Sequence, residues 1–207
     1  MRLPRRTLLT AAASLAGPAL AQSPAPAQSV VPLDQAMAER SVGRPDAPTQ
    51  VIEYFSLTCS HCATFHRDTF PRVKRELIDS GAVRLIWRDF PLDQLALLAA
   101  MVARALPAER YEGFIGTLLS NQDRWAFTRE DAVGALGRMA ALAGMSAEQY
   151  AAVQKDDALR RAVVEERLTA ERDFKIEATP SFVFGRQVVP GEIPFERFQQ
   201  LAVQGRG

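Results

Sequence analysis

The sequence predicts an α/β fold in which a βαβ unit and a closing ββα unit are separated by a long helical block. Three observations predict it. Residues 51–56 read as a strand with mostly apolar faces, as in a central strand covered by helices on both sides. From residue 92 to residue 176 the apolar side chains keep helical spacing, and no strand signal interrupts them. After Thr179 two short β-rich runs and one amphipathic helix close the chain.

Each element has a local reason. Residues 1–21 have the form of an export signal. Arg2, Arg5 and Arg6 precede a short apolar run, and Ala19-Leu20-Ala21 offers a small-x-small cleavage site before Gln22. Arg5-Arg6 also resembles a twin-arginine signal, although Pro4 and Thr10 depart from that pattern, so both export routes stay open. No later stretch approaches the ~20 apolar residues needed to span a bilayer, and the remainder is expected to be soluble beyond a membrane. Residues 22–44 are expected to be a flexible leader, Pro/Ala-rich to residue 30, with one or two helical turns over 33–40. The folded domain is expected over 45–204.

A helix is expected from about Ser60 to Ser80, kinked at Pro71, which lacks an N–H and crowds the preceding turn. Gly81 suits its end. Residues 82–90 form the second strand, parallel to the first through a right-handed crossover. Helices follow over 92–106, 108–120, 128–143, 146–153 and 156–176. Thr128 with Asp131, and Ser146 with Gln149, have the spacing of capping boxes. The charged residues across 160–172 are expected on a solvated face. Residues 180–184 and 187–189 read as a hairpin with Gly185 at the first turn position, as in a type II′ turn. Pro194 opens the last helix, with Phe195, Phe198 and Leu201 on one face.

Charge excludes one class of function. The chain has 25 basic and 24 acidic residues, and three of the arginines fall in the expected signal. The remainder is slightly acidic, with no basic stripe among aromatics, so nucleic acid is not an expected partner. The remaining length suffices for one sizeable core, not for two independent domains.

The two cysteines of the chain stand together in Cys59-Ser60-His61-Cys62, between the first strand and its helix. A bridge across so few residues restrains little of the unfolded chain, so the pair is poorly placed as a structural staple. It is well placed for thiol–disulfide exchange. The reactive species is the thiolate, and a helix N-terminus favours an anion through its unpaired N–H groups and dipole. Cys59 is therefore expected to be the reactive thiol, with His61 adding a donor or positive charge. Cys62, deeper in the helix, is expected to resolve the mixed disulfide. Glu53 falls on a buried strand, where a carboxylate needs a partner or a task. His66, four residues after Cys62, can tune that thiol or contact substrate, and is more simply a packing residue. Ala63 after Cys62 breaks the haem-attachment pattern. His61 and His66 lie about 140° apart around a helix, so they do not converge with both sulfurs on a metal. No cofactor is expected beyond a redox-active Cys59–Cys62 disulfide.

The run Glu53-Tyr54-Phe55-Ser56-Leu57-Thr58-Cys59-Ser60-His61-Cys62, with Thr179-Pro180 far downstream, resembles the DsbA-like family of exported thiol–disulfide oxidoreductases over about residues 45–204. The resemblance implies a thioredoxin fold (βαβ…ββα) with a helical domain inserted at about 92–176, and a periplasmic location. It implies a cis peptide at Thr179-Pro180, with the Thr179 backbone pairing with the substrate chain. It also implies that Glu53 lies behind the active site and moves the proton of Cys62. The family's familiar dipeptide is Pro-His, whereas this chain has Ser60-His61, so Ser60 is a position that tunes the potential. The expected activity is disulfide introduction into reduced, unfolded client proteins by a monomer, with a quinone-linked membrane protein re-oxidising it. A reductase or isomerase kept reduced by a membrane donor would use the same residues. A peptide-binding or chaperone module with a bystander disulfide is the reading outside redox chemistry.

Overall fold

The computed structural model describes residues 31–129 and 131–205; the expected export signal and the leader to residue 30 lie outside the described residues. A five-stranded sheet organises the chain. Its central strand, β2 (Thr49–Phe55), pairs in parallel with β3 (Val83–Asp89) and antiparallel with β4 (Ser181–Phe184). Beyond β4 lies β5 (Gln187–Pro190), and beyond β3 lies β1 (Arg40–Val42), both antiparallel to their neighbours.

Alternation along these strands divides the core. Val51, Glu53 and Phe55 share a face with Leu85, Trp87, Phe182 and Phe184, and the helix after β2 and the last helix cover it. Ile52 and Tyr54 face the other way, with Val183, Phe90, Ala170 and Ile176. Register places Glu53 between Trp87 and Phe182 at the middle of the sheet.

The β2–β3 crossover is a helix with two widened turns. It runs as α2 (Ser60–Thr64), a π-helical turn (Phe65–Thr69), α3 (Phe70–Val73) and a second π-helical turn (Lys74–Ile78). The disruption expected at Pro71 takes this form. Proline has no N–H for the turn before it, and the first π turn places it at the start of α3, where none is needed.

Between β3 and β4 stand α4 (Gln94–Arg104), α5 (Ala108–Ser120), α6 (Gln122–Trp125), α7 (Ala132–Leu142), α8 (Ala147–Gln154) and α9 (Asp157–Thr169). A π turn (Ala170–Phe174) extends α9, and Lys175 ends it in the left-handed region at φ 56°. After the hairpin, α10 (Phe195–Gln204) buries Phe195, Phe198 and Leu201. Gly185 has φ +58° and Arg186 is not positive, the sign pattern of the expected II′ turn.

Four expectations need correction. The folded part begins before residue 45: β1 pairs with β3, and α1 (Leu33–Ala36) buries Ala36 against the core. A three-residue edge strand with Arg at its start carries almost no strand signal of its own. Second, the N-cap of α7 is Asp131, accepting from Gly134 N, rather than Thr128, and the helix starts later than expected. The box at Ser146 and Gln149 does form. Third, α6 is additional, a single turn too short for periodicity to reveal. Fourth, Glu166 turns inward. Its carboxylate bonds Arg104, whose guanidinium is wholly buried and also holds Asp89 and Ala36 O. A charge at that depth needs such partners. The cluster ties α4 to β3, α9 and α1.

Candidate active site

Cys59 sits at the N-cap of α2 with extended backbone (φ −81°, ψ 119°), and its Sγ accepts from Cys62 N at 3.4 Å. Both cysteines are free thiols in the structure. Their electrostatics are opposed. The Cys62 thiol bonding to the Cys59 sulfur, more than any other contact, pulls the Cys59 pKa down to about 5. Burial opposes the shift, and the backbone N–H groups of Cys62 and His61 assist it. Cys62 is fully buried, and burial pushes its thiol well above the ordinary range; the negative charges of Cys59 and Glu53 push it the same way. One sulfur is thus primed as a thiolate while the other holds its proton.

The loop before β4 meets this pair. The Thr179–Pro180 bond is cis, and Thr179 O lies 3.2 Å from Cys59 Sγ, within reach of a thiol S–H. Pro180 O accepts from Gly191 N at 2.7 Å, and Gly191, at φ +86°, takes a conformation that suits glycine. Thr179 and Pro180 are buried against the protein, and the Thr179 side chain also helps to lower the Cys59 pKa.

Behind the pair, on the core side, Glu53 is fully buried. Its two oxygens lie 3.0 and 3.1 Å from Nε2 of His66, itself only 5% exposed in its side chain. His66 falls in the π turn that precedes Pro71, and the rings of Phe55, Phe65 and Phe70 enclose it. Spacing alone puts His66 on the face of Cys62; its engagement with Glu53 is a fact of packing across the sheet.

In front, Ser60 and His61 are exposed. His61 Nδ1 lies 3.3 Å from Glu192 Oε2, a residue that sequence reasoning passed over because it stands in an unremarkable loop 131 positions away. Gln122 was missed for a similar reason. Its buried amide donates from α6 to Leu57 O at 2.8 Å and Cys59 O at 3.0 Å, fastening the active-site loop to the helical block. A glutamine between the apolar pair Leu118-Leu119 and Trp125 is the faint signal that could have found it. Thr58 adds a second tie, donating to Asp93 at 2.7 Å beside the start of α4.

The geometry brings Cys59, Cys62, Thr179, Pro180 and Glu53 together around one helix end, with Ser60 and His61 on its solvent side. Comparisons with known proteins bear on the family and the fold. A family model described as thioredoxin matches residues 35–202. A Rickettsia typhi chain named as a protein-disulfide oxidoreductase is 30% identical over 135 residues, covering 64% of this chain and 49% of that one. This chain spans about half the length of the curated relatives it matches. The crystal structure of alpha-DsbA1 from Wolbachia pipientis superposes with a TM-score of 0.74 at 29% identity, covering 83% of this chain and 92% of that one. BdbD from Bacillus subtilis, at 20% identity and a TM-score of 0.69, shares the fold over 81% of this chain and 92% of its own. The chain belongs to the thioredoxin family and is similar in structure to DsbA proteins.

Proposed function

We propose that this chain is an exported oxidase that introduces disulfides into folding client proteins by dithiol–disulfide exchange. The opposed ionisation of the two thiols carries the proposal. A thiolate at Cys59 stabilises the reduced form, and whatever stabilises the reduced form makes the disulfide more oxidising. In this reading a client thiolate attacks Cys59 of the oxidised pair, and the bond to Cys62 breaks. A second client thiolate then attacks the client sulfur of the mixed disulfide, and Cys59 leaves as a stabilised thiolate. The client gains a disulfide and the enzyme gains two electrons, which a membrane protein linked to quinone would remove.

The cis Thr179–Pro180 loop supports the peptide side of the reaction. It places backbone beside Cys59, where an extended client segment can add by main-chain pairing, tolerant of sequence. Ser60 and His61 are the exposed residues through which the potential is tuned, and the protein acts as a monomer in the periplasm.

Two measurements test the reading. The oxidised protein, added to reduced unfolded ribonuclease, should form its disulfides, and Cys59→Ala should abolish the transfer. Equilibration with glutathione buffers should give a potential well above the roughly −270 mV of a cytosolic reductant. A value near that figure would overturn the oxidase and favour a reductase or isomerase. Transfer that survives Cys59→Ala would leave only a binding role.

A further inference from the structure

Cys62 must lose or gain a proton in every exchange cycle, yet it is fully buried and its front is covered by Cys59. A client bound across Cys59 and Thr179 would close that front further. A second opening exists. A cavity of about 280 Å³ lies between the active-site helix and α5, lined by His66, Phe70, Trp87, Glu109, Glu112 and Ser120 together with two glycines of α5. None of Cys59, Ser60, His61, Thr179 or Pro180 lines it. At about 30 Å³ per water it has room for several.

We propose, building on the exchange reaction above, that His66 passes the Cys62 proton between Glu53 and this rear cavity, so that resolution continues while a client covers the front. His66 spans the gap. Its Nε2 faces both oxygens of Glu53, and its Nδ1 makes no hydrogen bond within the described chain. Glu53 and Cys62 are both fully buried on the core side of the site, and the negative charge of Glu53 acts on the Cys62 thiol.

The groups facing the path come from several elements. Glu53 faces His66 from β2, and Trp87 from β3 lines the cavity with a buried indole N–H that has no partner among the described residues. From α5 come Glu109 and Glu112, the latter paired at 2.9 Å with Lys74 of the second π turn. Cys62 itself stands on α2. Both carboxylates of α5 line the same cavity as His66. His66 acts through Glu53 and never touches the reacting sulfurs, so it is a positioning residue.

The step balances. In a mixed disulfide between Cys59 and a small thiol, Cys62 gives its proton to Glu53 as its sulfur attacks Cys59 Sγ. The Cys59–Cys62 bond forms, and the bond to the small thiol breaks. That thiol leaves with the electron pair and takes a proton from water. Glu53 then returns to its ionised state by passing its proton through His66 to the cavity. In the opposite direction the same path supplies the proton that the departing Cys62 thiolate needs.

The test uses the full reduced protein and oxidised glutathione in single turnover, which separates attack by Cys59 from resolution by Cys62. His66→Gln keeps a polar partner for Glu53 but cannot pass protons. It should slow resolution roughly tenfold or more at neutral pH, the low side of what positioned proton transfer contributes. Attack by Cys59 should stay within about twofold of the native rate, since its thiolate is already formed. Added imidazole should restore resolution in His66→Ala by entering the cavity, and should leave the native rate alone. Resolution in His66→Gln within twofold of native would overturn the proposal. So would loss of both steps together in His66→Ala with no recovery in imidazole, because that pattern marks a purely structural residue. Failure of the native Cys59 to attack glutathione at all would instead overturn the exchange reaction on which the proposal rests.

Discussion

The reactivity of Cys59 rests more on its neighbour than on the helix that presents it. The Cys62 thiol is the largest influence lowering its pKa to about 5, ahead of the backbone N–H groups. Cys62→Ala should therefore raise the Cys59 pKa towards the ordinary thiol range, whereas Cys62→Ser, which keeps a donor, should hold it low. Thiolate absorbance at 240 nm across a pH titration checks both. Equal shifts in the two variants would assign the effect to the helix N-terminus instead. Stability follows from the same ionisation. The folded pKa is below that of the unfolded thiol, so the folded state binds fewer protons between the two values. The contribution of Cys59 to stability is full above the unfolded thiol pKa and is lost as pH falls to about 5. The Tm of the reduced protein minus that of reduced Cys59→Ser should thus rise from pH 5 to about pH 9 and stay flat below pH 5. Cys62 is buried without that stabilisation, and its proton needs a route of its own.

At the scale of elements, the helical block is tied to the active-site loop by one short helix. α6 contains only four residues, and Gln122 on it satisfies two carbonyls of the loop, at Leu57 and Cys59. Gln122→Leu removes both donors and leaves those carbonyls buried without a partner. The expected loss is about 1–3 kcal/mol, read as a lower urea midpoint with unchanged m-value. Cys59 should also react faster with an alkylating agent at pH 5, because the loop that seats it loosens. An unchanged midpoint would mean that water replaces the amide. This tie was not legible in the sequence, and the reason is physical. Periodicity reports elements long enough to repeat, so the strands around Val51 and Leu85 and the helix at 108–120 could be read directly. A single turn such as α6 has no period, and a contact 63 positions apart has no local trace. The Glu53 carboxylate was legible because a charge on a buried strand is an anomaly. Its partner His66 was not, because the widened turn before Pro71 and the crossing of helix and sheet decide which way that imidazole points.

For the molecule as a whole, the domain boundary is where sequence and structure part most clearly. Residues 33–42 look like the end of a flexible leader, yet they close one edge of the sheet and one side of its charged cluster. β1 covers the outer edge of β3, which would otherwise present unpaired backbone groups and invite pairing with other chains. Arg40 is buried and stacks over Tyr111, and Ala36 O accepts from the buried Arg104. Glu39 bridges Arg84 and Arg88 across the surface of β3. A chain beginning at residue 45 would lose all of these at once. Arg104 would keep Asp89 and Glu166 but lose the carbonyls that complete its surroundings, and the β3 edge would be bare. Such a chain is expected to aggregate or to melt well below one that begins at residue 31. The longer chain should match the full protein in both Tm and disulfide transfer. Size-exclusion chromatography and thermal unfolding of the two truncations decide the matter. A residue-45 chain that stays monomeric and melts with the full protein would show that the sheet needs only its other four strands, β2 to β5. In the structure, the cluster of Arg104, Asp89 and Glu166 is completed by the carbonyls of Ala36 and Ala38, which argues that the first ten or so described residues belong to the fold that holds the cysteines.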